Sequence, residues 1–324
     1  MKTGSILIIT HSEEKPSLSV SNILNGIGEQ VFRLNTDLIT DDSFLLSLSH
    51  GFDGWIKHDG NLLNLSNVKS AWYRRPTFPL TFTKVAQNHQ EFVKKQFQYF
   101  LWSLYTNINV FWVNHPLSIR LIEHNKLYQM RKAQKCGFAI PKTIITSDAD
   151  ELIKFARDCG GSIALKTIHP DIINFADGRQ GFIYTNLVTI DELKSFREDI
   201  SLSPIIAQSY VEKKLELRIT VVGKKIFSCA IYSQNSARTK HDWRKYDFTN
   251  IKHEIFDLPE LIQAELFSLM SELKIVYGAF DLILTPENEF VFLEVNPSGQ
   301  WLWIEELTGL PISKAIANLL SNPY

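Results

Sequence analysis

Two apolar segments near the C-terminus, joined by a short polar turn, constrain the fold of this 324-residue chain most strongly. Residues 278–284 read Gly-Ala-Phe-Asp-Leu-Ile-Leu, and residues 290–297 read Phe-Val-Phe-Leu-Glu-Val-Asn-Pro. Runs of this length that are rich in Phe, Val, Ile and Leu are typical of buried strands. The sequence therefore predicts two core strands that can pair as a hairpin.

Three oxygen-bearing side chains interrupt this apolar pair. Because side chains alternate across a strand, we expect Glu294 and Asn296 on one face, with Leu293 and Val295 on the other. Asp281 reaches the same side as Glu294 if the strands pair. Carboxylate and amide oxygens are the ligands that Mg²⁺ prefers when it also holds nucleotide phosphates. The alternative is a strand end whose polar residues are solvated.

A third strand, residues 215–222, alternates strictly between polar and apolar residues. The alternation places Glu216, Arg218 and Thr220 on one face of a half-buried strand. Since a guanidinium is always charged and matches phosphate oxygens bidentately, Arg218 can stabilise charge on a transferring phosphoryl group. An exposed cross-strand pair of Glu and Arg is the alternative.

Two lysines complete the set of candidate residues. Lys166 closes an apolar strand before a glycine-containing loop, where an ammonium group can hold phosphate as a point charge. Lys126 lies on the first helix of the middle part of the chain, and a solvated surface lysine is the alternative for it. The sequence has no GxxxxGK[ST] motif and no GxGxxG motif after a strand, which disfavours the P-loop and Rossmann folds.

The pattern of the whole chain predicts a mixture of α/β and α+β domains. A strand, an amphipathic helix and a second strand form a βαβ opening, the usual beginning of a parallel sheet. The predicted strands are 5–10, 29–34, 68–73, 142–145, 162–167, 181–185, 205–209, 215–222, 225–232, 278–285 and 290–295, and the predicted helices are 17–27, 88–107, 118–136, 149–159, 190–196, 259–273 and 311–320. Turn residues at 114–116 mark the first boundary, and we expect domains at 1–115, 116–206 and 207–324.

Composition narrows the range of partners. The chain has 34 Lys and Arg against 35 Asp and Glu, so its net charge of −1 gives no overall attraction to nucleic acid or an anionic membrane. Three separated cysteines without a CxxC pair fit neither a zinc site nor a disulfide framework. The apolar run at 6–9 is too short for a signal peptide or a membrane span. We expect a cytoplasmic protein that binds neither nucleic acid nor membrane.

The order of the motifs resembles the ATP-grasp superfamily from about residue 115 onward. The matching residues are Asn125, Lys126, Gln129, 140–143, Leu165, Lys166, Gln208, Glu212, Lys213, 216–218, Asp281 and 294–297. The resemblance implies an ATP-grasp fold, in which an N-terminal α/β pre-grasp domain precedes two α+β subdomains that clasp the nucleotide. ATP and Mg²⁺, expected as two ions, are the implied cofactors.

The resemblance also implies a role for each matching residue. Phosphate contacts fall to Lys126 and Lys166, adenine contacts to Gln208, Ser209, Tyr210 and Val211, a ribose or metal-bound phosphate contact to Glu216, and metal binding to Asp281, Glu294 and Asn296. Arg218, with Lys166, is expected to stabilise the transferred phosphate.

Within that superfamily the chain is similar to the microviridin-type, or graspetide, ligases, which cyclise ribosomal peptides through side-chain esters or amides. The residues that carry this likeness are 32–37, 72–75, 215–223, 242–245 and 277–281. It implies that ATP phosphorylates an Asp or Glu of a precursor peptide, and that a Thr or Ser hydroxyl or a Lys amine of the same peptide then attacks. The implied partner has a leader and an acidic, Thr-rich core, and the implied assembly is a homodimer.

Five charged residues are candidates for holding that peptide. Asp191 and Glu192 match an acidic position that would meet a basic leader residue, although an acidic pair is also common at a helix N-terminus. Arg244, expected to be catalytic as well, and the pair Arg74 and Arg75 are candidates for the acidic core. Since adjacent strand residues face opposite ways, only one of Arg74 and Arg75 is expected to reach the cleft.

Two other functions remain open from the sequence. The first is a RimK-like ligase that adds amino acids to a protein or small molecule, and the second is a nucleotide-binding module without ligase activity. The loop 169–180 departs from the family pattern because it has few glycines and carries His169 and Arg179. Its closing motion and any role of His169 are therefore undecided at this point.

Overall fold

The computed structural model describes residues 4–49, 51–79, 82–169, 172–174, 177, 179–182, 185–235 and 251–323. The strands are β1 (Ser5–Thr10), β2 (Val31–Asn35), β3 (Ser43–Ser47), β4 (Asp53–His58), β5 (Asn61–Asn64), β6 (Val68–Tyr73), β7 (Phe111–Val113), β8 (Thr143–Thr146), β9 (Ser162–Lys166), β10 (Ile172–Asn174), β11 (Gln180–Phe182), β12 (Asn186–Thr189), β13 (Ile205–Ser209), β14 (Leu215–Val222), β15 (Lys225–Ile231), β16 (His253–Ile255), β17 (Tyr277–Leu284) and β18 (Phe290–Asn296). The helices are α1 (Lys15–Gly26), α2 (Gln90–Asn107), α3 (Pro116–Ile122), α4 (Lys126–Lys135), α5 (Ala149–Asp158), α6 (Ile190–Ser195), α7 (Arg197–Ile200), α8 (Glu260–Leu273), α9 (Leu302–Thr308) and α10 (Ile312–Ser321).

The N-terminal part is built on a parallel sheet with the strand order β2-β1-β6-β7. Ile6 and Ile8 pack with α1 and the C-terminal helix α10, whereas Leu7 and Ile9 pack with α2. Both faces of β1 are therefore buried, as a continuous apolar run in a parallel strand predicts. The short antiparallel sheet β3-β4-β5 beside it was not predicted from the sequence.

Two larger antiparallel sheets and the two-stranded sheet β10-β11 follow in the rest of the described chain. The first has the order β12-β9-β13-β8, and α5 and α6 cover one of its faces. The second has the order β16-β15-β14-β17-β18, and α4 and α8 cover one of its faces. Parts of the opposite faces line the candidate site, whereas α9 and α10 pack against β15 and one end of β14 and β17. Among the described helices, none combines the length and apolarity needed to cross a membrane.

Two predicted elements are wrong in their extent. The segment 118–136 is not one helix but α3 and α4, because His124 between them has a left-handed φ of 60°. The Asn125 side chain accepts a hydrogen bond from the backbone N–H of Tyr128 at 3.3 Å and thereby starts α4. The predicted strand 181–185 is shorter as well, since β11 ends at Phe182 and a separate strand, β12, follows.

A buried arginine joins the N-terminal domain to the C-terminal sheet. Arg74, only 1% exposed, donates from Nε to Glu14 Oε1 at 2.9 Å. Its Nη1 donates to the carbonyl oxygens of Ser298 and Gly299 at 2.7 and 3.0 Å. The guanidinium also lies 4.6 Å from the ring centroid of Trp301. Arg74 therefore holds the segment that follows β18 against the end of β6.

Asn114 makes a second polar connection between the same two parts. Its Oδ1 accepts hydrogen bonds from the backbone N–H groups of Val276 and Tyr277 at 2.7 and 2.9 Å. Its Nδ2 donates to the carbonyl oxygens of Tyr277 and Pro297 at 2.7 and 2.9 Å. One side chain thus fixes the start of β17 and the end of β18.

We expect Arg74→Ala to destabilise the fold, because it leaves the Glu14 carboxylate buried without its cation. Breaking a buried ion pair in this way costs about 3–5 kcal/mol. Urea unfolding should show a loss of that size in the free energy of unfolding. The matched control is Arg75→Ala, whose exposed side chain should contribute less than about 1 kcal/mol. Equal losses in the two variants would contradict the role given to Arg74.

Candidate active site

A cleft lies between the two antiparallel sheets, on the sides that face away from α4, α5, α6 and α8. Nine residues predicted to bind nucleotide or metal line it, namely Lys126, Lys166, Gln208, Ser209, Tyr210, Val211, Glu216, Asp281 and Glu294. The lining also includes Pro141, Ala164, Thr185, Leu187, Lys213, Ile283 and Leu293. These residues come from distant parts of the sequence and meet only in the folded chain, so their convergence supports the predicted nucleotide site.

The predicted adenine contacts lie where the chain crosses from one sheet to the other, between β13 and β14. Gln208 donates from Nε2 to Thr143 Oγ1 at 3.0 Å. The backbone N–H of Ser209 donates to the Lys142 carbonyl at 2.9 Å, and the N–H of Lys142 donates to Ser209 Oγ at 3.1 Å. These bonds hold the beginning of the crossing segment, so Tyr210 enters the cleft from a fixed position.

A row of ionisable residues crosses the cleft-facing side of the C-terminal sheet. Arg218 is paired in register with Asp281, and Asp281 with Glu294. Nη1 of Arg218 donates to both Asp281 carboxylate oxygens at 3.0 Å. Burial by itself would lower the pKa of Arg218, but the charge and hydrogen bonds of Asp281 raise it above its ordinary value. The guanidinium therefore stays charged in spite of its burial.

The predicted alternation of β14 is confirmed, but the strand is buried on both faces rather than half-buried. Arg218 is 6% exposed. Its Nη2 donates a hydrogen bond to the carbonyl oxygen of Gln300 at 3.1 Å. The chain passes this close because Gly299 has no side chain. A Cβ there would lie 2.4 Å from that of Ala279 and 3.0 Å from Nη2 of Arg218.

Two ion pairs hold lysines in the cleft. Lys126 Nζ donates to Glu294 Oε2, and Lys213 Nζ donates to Glu216 Oε1 at 2.8 Å. Lys213 was part of the motif that carries the family resemblance but was not predicted as a site residue. Its position three residues before Glu216 was the available signal. The described lining of the cleft therefore contains three lysines, namely Lys126, Lys166 and Lys213.

The predicted faces of β18 are only partly correct. Asp281 pairs with Glu294, whereas the next residue of β17, Leu282, pairs with Phe292, so Leu293 is the extra residue of a bulge. Leu293 lines the cleft beside Glu294 instead of facing the core, and Phe292 takes the core position. A bulge breaks strict alternation, and nothing in the sequence marks it.

The donor set fits Mg²⁺ held jointly with nucleotide phosphates. Within the described residues, no group of three or more His, Cys, Asp or Glu side chains is arranged to hold a metal ion. Mg²⁺ sites that include nucleotide phosphates need only one or two carboxylates, which Asp281 and Glu294 supply. Asn296 Oδ1 accepts a hydrogen bond from the Ser298 backbone N–H at 2.9 Å and has a second lone pair for a ligand.

The predicted leader-binding acids lie at the start of α6. Glu192 completes a capping box, because its carboxylate accepts a hydrogen bond from the Thr189 backbone N–H at 2.8 Å. Asp191 has a side chain that is 91% exposed and pairs with Lys194 at 2.9 Å. Asp191 is therefore the more accessible of the two, whereas the Glu192 carboxylate caps the start of α6.

The predicted core-peptide arginines have different environments. The burial of Arg74 and its four hydrogen bonds to other parts of the chain contradict a peptide contact, and its role is to join domains. Arg75 is exposed, and its Nε donates to the Ser298 carbonyl at 3.0 Å, so it stays a candidate. Arg244, with the rest of the 242–245 motif, lies outside the described residues.

Two histidines form a contact that the sequence did not predict. The ring centroids of His124 and His169 are 4.4 Å apart. His169 follows Lys166 on the chain, and His124 precedes Lys126, so the contact joins the segments that carry the two predicted phosphate lysines. Burial lowers the pKa of His124, which favours its neutral form.

Several known proteins are similar to this chain in sequence and fold. The sequence profile of the MvdD pre-ATP grasp domain matches residues 5–120. A RiPP-associated ATP-grasp ligase of Chryseobacterium gregarium, solved with ADP and a leader and core peptide, is 28% identical with a TM-score of 0.90, covering 98% of this chain and 96% of its own.

The macrocyclase MdnC of Microcystis aeruginosa MRC, solved with the precursor peptide MdnA, is 27% identical with a TM-score of 0.86, covering 98% of this chain and 99% of its own. The α-aminoadipate–LysW ligase LysX of Sulfurisphaera tokodaii is 25% identical over 205 residues, which is 60% of this chain and 66% of that protein. Residues 5–120 therefore match the MvdD pre-ATP grasp domain, and the chain has the ATP-grasp fold and is similar over nearly its whole length to RiPP-associated ATP-grasp ligases.

Proposed function

We propose that this ligase uses ATP and Mg²⁺ to activate Asp or Glu side chains of a ribosomal precursor peptide and joins them to Thr or Ser hydroxyls or Lys amines of the same peptide. The products are macrocyclic esters or amides. The observation that carries the proposal is a cleft lined by Asp281, Glu294 and three lysines, with the buried Arg218 paired to Asp281 behind the lining. The peptide complexes of MdnC and of the Chryseobacterium gregarium ligase support a peptide substrate.

The reaction needs activation because hydroxide is a poor leaving group. A carboxylate oxygen of the peptide bonds to the γ-phosphorus of ATP while the bond from that phosphorus to the β,γ-bridging oxygen breaks, which releases ADP. The hydroxyl or amine then bonds to the acyl carbon, and the bond from that carbon to the phosphate oxygen breaks. Phosphate leaves and the nucleophile loses its proton. Each ring therefore uses one ATP, and the peptide loses one water.

The residues that face the nucleotide have distinct tasks. Lys126 and Lys166 hold phosphates, the segment 208–211 holds adenine, and Glu216 binds ribose or a metal-bound phosphate. Arg218 is rigidly placed by Asp281, so its guanidinium stabilises the transferred phosphate without reorganising. Positioning and charge stabilisation are the main contributions that a protein makes to phosphoryl transfer.

The metal is assigned to the edge of the C-terminal sheet. Asp281, Glu294 and Asn296 would hold Mg²⁺, for which we propose two ions. A Mg²⁺ ion held there would neutralise charge on the phosphates. Asp281 has a second task, since the same carboxylate orients Arg218.

The peptide side of the proposal rests on fewer contacts. Asp191, with Glu192 beside it, is proposed to meet a basic residue of the leader. Arg75 and Arg244 are proposed to hold the acidic, Thr-rich core. We also propose that the enzyme acts as a homodimer in the cytoplasm.

A RimK-like ligase that adds an amino acid to a protein is the second candidate. The match to LysX, named for joining α-aminoadipate to LysW, favours it, although that match covers only 60% of this chain. The likeness to MdnC covers 98% of the chain and includes the N-terminal domain, so we favour the macrocyclase.

The proposed function predicts the mass of the product. The chain, incubated with ATP, Mg²⁺ and the precursor peptide encoded beside its gene, should yield peptide lighter by one water per ring, with ADP released in step. Mass spectrometry and an ADP assay measure both quantities, and hydroxide treatment distinguishes esters from amides. A peptide of unchanged mass, with ADP formation stimulated by free amino acids, would move the assignment to the RimK-like ligase.

Arg218→Lys should reduce kcat by about 10²–10³ because lysine keeps the charge but loses the planar guanidinium that faces the transferred phosphate. The KM for ATP should change by only a few fold, since the contact belongs to the transition state. The lysine still pairs with Asp281, which protects the fold, and thermal melting verifies this. Arg131→Lys on the exposed face of α4 is the matched control. Turnover at the wild-type rate in Arg218→Lys would exclude the assigned role.

Glu294→Gln should raise the Mg²⁺ concentration needed for half-maximal ADP formation by about tenfold or more, because a carboxylate ligand becomes a neutral amide. A magnesium titration of the ADP-release rate measures this. Glu287→Gln, which changes an exposed residue in the turn before β18, removes the same charge outside the cleft and serves as control. If both variants gave the wild-type titration curve, the metal would be bound elsewhere.

A further inference from the structure

A second cavity, of about 440 Å³, lies in the N-terminal part of the molecule between α2 and α3. The segment that follows β6 forms a third wall. The cavity is strongly aromatic, with walls that include Tyr73, Phe78, Tyr99, Trp102 and Tyr105. None of these residues has a task in the activation of a carboxylate as described above.

Tyr105, one of the lining residues, has a buried hydroxyl. The side chain is 4% exposed, and its hydroxyl has no hydrogen-bond partner among the described residues. A buried polar group left unpaired costs about 1–3 kcal/mol. Burial, reinforced by Tyr73, raises the pKa of Tyr105 well above its ordinary value, so the group remains a neutral O–H donor. The cavity therefore offers one donor for an acceptor atom of a ligand.

The walls favour an aromatic guest. The rings of Tyr73 and Tyr105 already meet edge to face with their centroids 5.2 Å apart, the geometry that aromatic pairs prefer. The Arg120 guanidinium lies 5.0 Å from the ring centroid of Trp102, so one wall is held in place by a cation–π contact. A flat, preformed aromatic surface of this kind selects ring-bearing side chains over small ones.

The position of the cavity connects it to the active-site cleft. His124 lines the cavity and contacts His169, which lies three residues beyond the cleft residue Lys166. Two residues after His124, Lys126 lines the cleft itself. A substrate chain that leaves the cleft beside Lys126 would therefore pass His124 and meet the aromatic cavity next.

We propose that this cavity is a substrate subsite that takes an aromatic side chain of the precursor peptide near its reacting residues, while the Tyr105 hydroxyl donates a hydrogen bond to a carbonyl oxygen of the bound segment. The inference rests on the proposed function for the identity of the substrate. It gives the enzyme a means of choosing where on the peptide a ring closes, independently of the leader.

Binding of a small probe tests the cavity itself, without ATP or peptide. In an NMR titration, N-acetyl-L-phenylalaninamide should bind the wild-type protein and N-acetyl-L-alaninamide should not. Tyr105→Phe keeps the ring and should weaken probe binding about fivefold, the equivalent of one ordinary hydrogen bond. Tyr128→Phe removes a hydroxyl on α4, outside the cavity, and should leave probe affinity unchanged. Equal binding of the two amides, or no effect of Tyr105→Phe, would overturn the proposal.

A second variant tests the role in substrate recognition. Gln98→Trp fills the cavity from α2 and should abolish probe binding. In the cyclisation assay it should raise the KM for the peptide at least tenfold, with kcat and the KM for ATP unchanged. An unchanged KM for the peptide would overturn the subsite. If the wild-type enzyme cyclised no peptide, the proposed function would fail, whereas selective, Tyr105-dependent probe binding would still establish an aromatic site.

Discussion

The ion pair between Arg218 and Asp281 is the interaction on which the active-site arrangement depends. The two side chains lie on a sheet face that is almost completely buried, where a charge without a partner is costly. Pairing with Asp281 offsets the cost of burying the Arg218 guanidinium. The charge and hydrogen bonds of Asp281 raise the pKa of Arg218 and fix the orientation of its guanidinium. A buried ion pair is weak evidence for stability, because an apolar pair of the same shape often serves as well. Because Asp281 lines the cleft, the ion pair is better explained by the proposed stabilisation of phosphate charge by a fixed guanidinium.

That wall keeps its shape because the N-terminal domain is attached behind it. Arg74 and Asn114 both bind backbone groups of residues 276–299, the segment that contains β17, β18 and the turn after them. A change in either residue would therefore reach Arg218 through the backbone at Gly299 and Gln300. The N-terminal domain thus supports the edge of the C-terminal sheet to which the metal is proposed to bind, although it contributes no described residue to the lining of the cleft.

The sequence predicted what depends on local periodicity. Most strands and helices appear within two residues of their predicted bounds, because alternating or continuous apolar runs specify them. The polar face of β14 followed from the same period-two rule, whereas the pairing of Asp281 with Glu294 depends on the bulge at Leu293. The family resemblance, and not the spacing alone, gave these residues their roles.

The errors arise where tertiary packing decides the local structure. Leu293 faces the cleft because one extra residue enters β18, and a bulge leaves no mark in an apolar run. Arg74 joins domains because Glu14 and the carbonyl groups after β18 reach it only in the folded chain. The break between α3 and α4 had a local signal, since Asn125 is a good N-cap, but a continuous helical pattern outweighed it.

The ion pairs of the cleft suggest how its charged side chains exchange internal partners for a bound magnesium nucleotide. Glu294 pairs with Lys126, and Glu216 pairs with Lys213. Each of these two ion pairs is electrically neutral without nucleotide. The proposed ligands have the opposite preferences, because a metal cation requires the carboxylate and an anionic phosphate requires the ammonium. Binding of the proposed magnesium nucleotide would then replace the Lys126–Glu294 pair by one contact of Glu294 to the metal and one contact of Lys126 to phosphate. The cleft residues thereby stay compensated in both states, which removes the penalty of keeping bare charges buried while the enzyme waits for substrate.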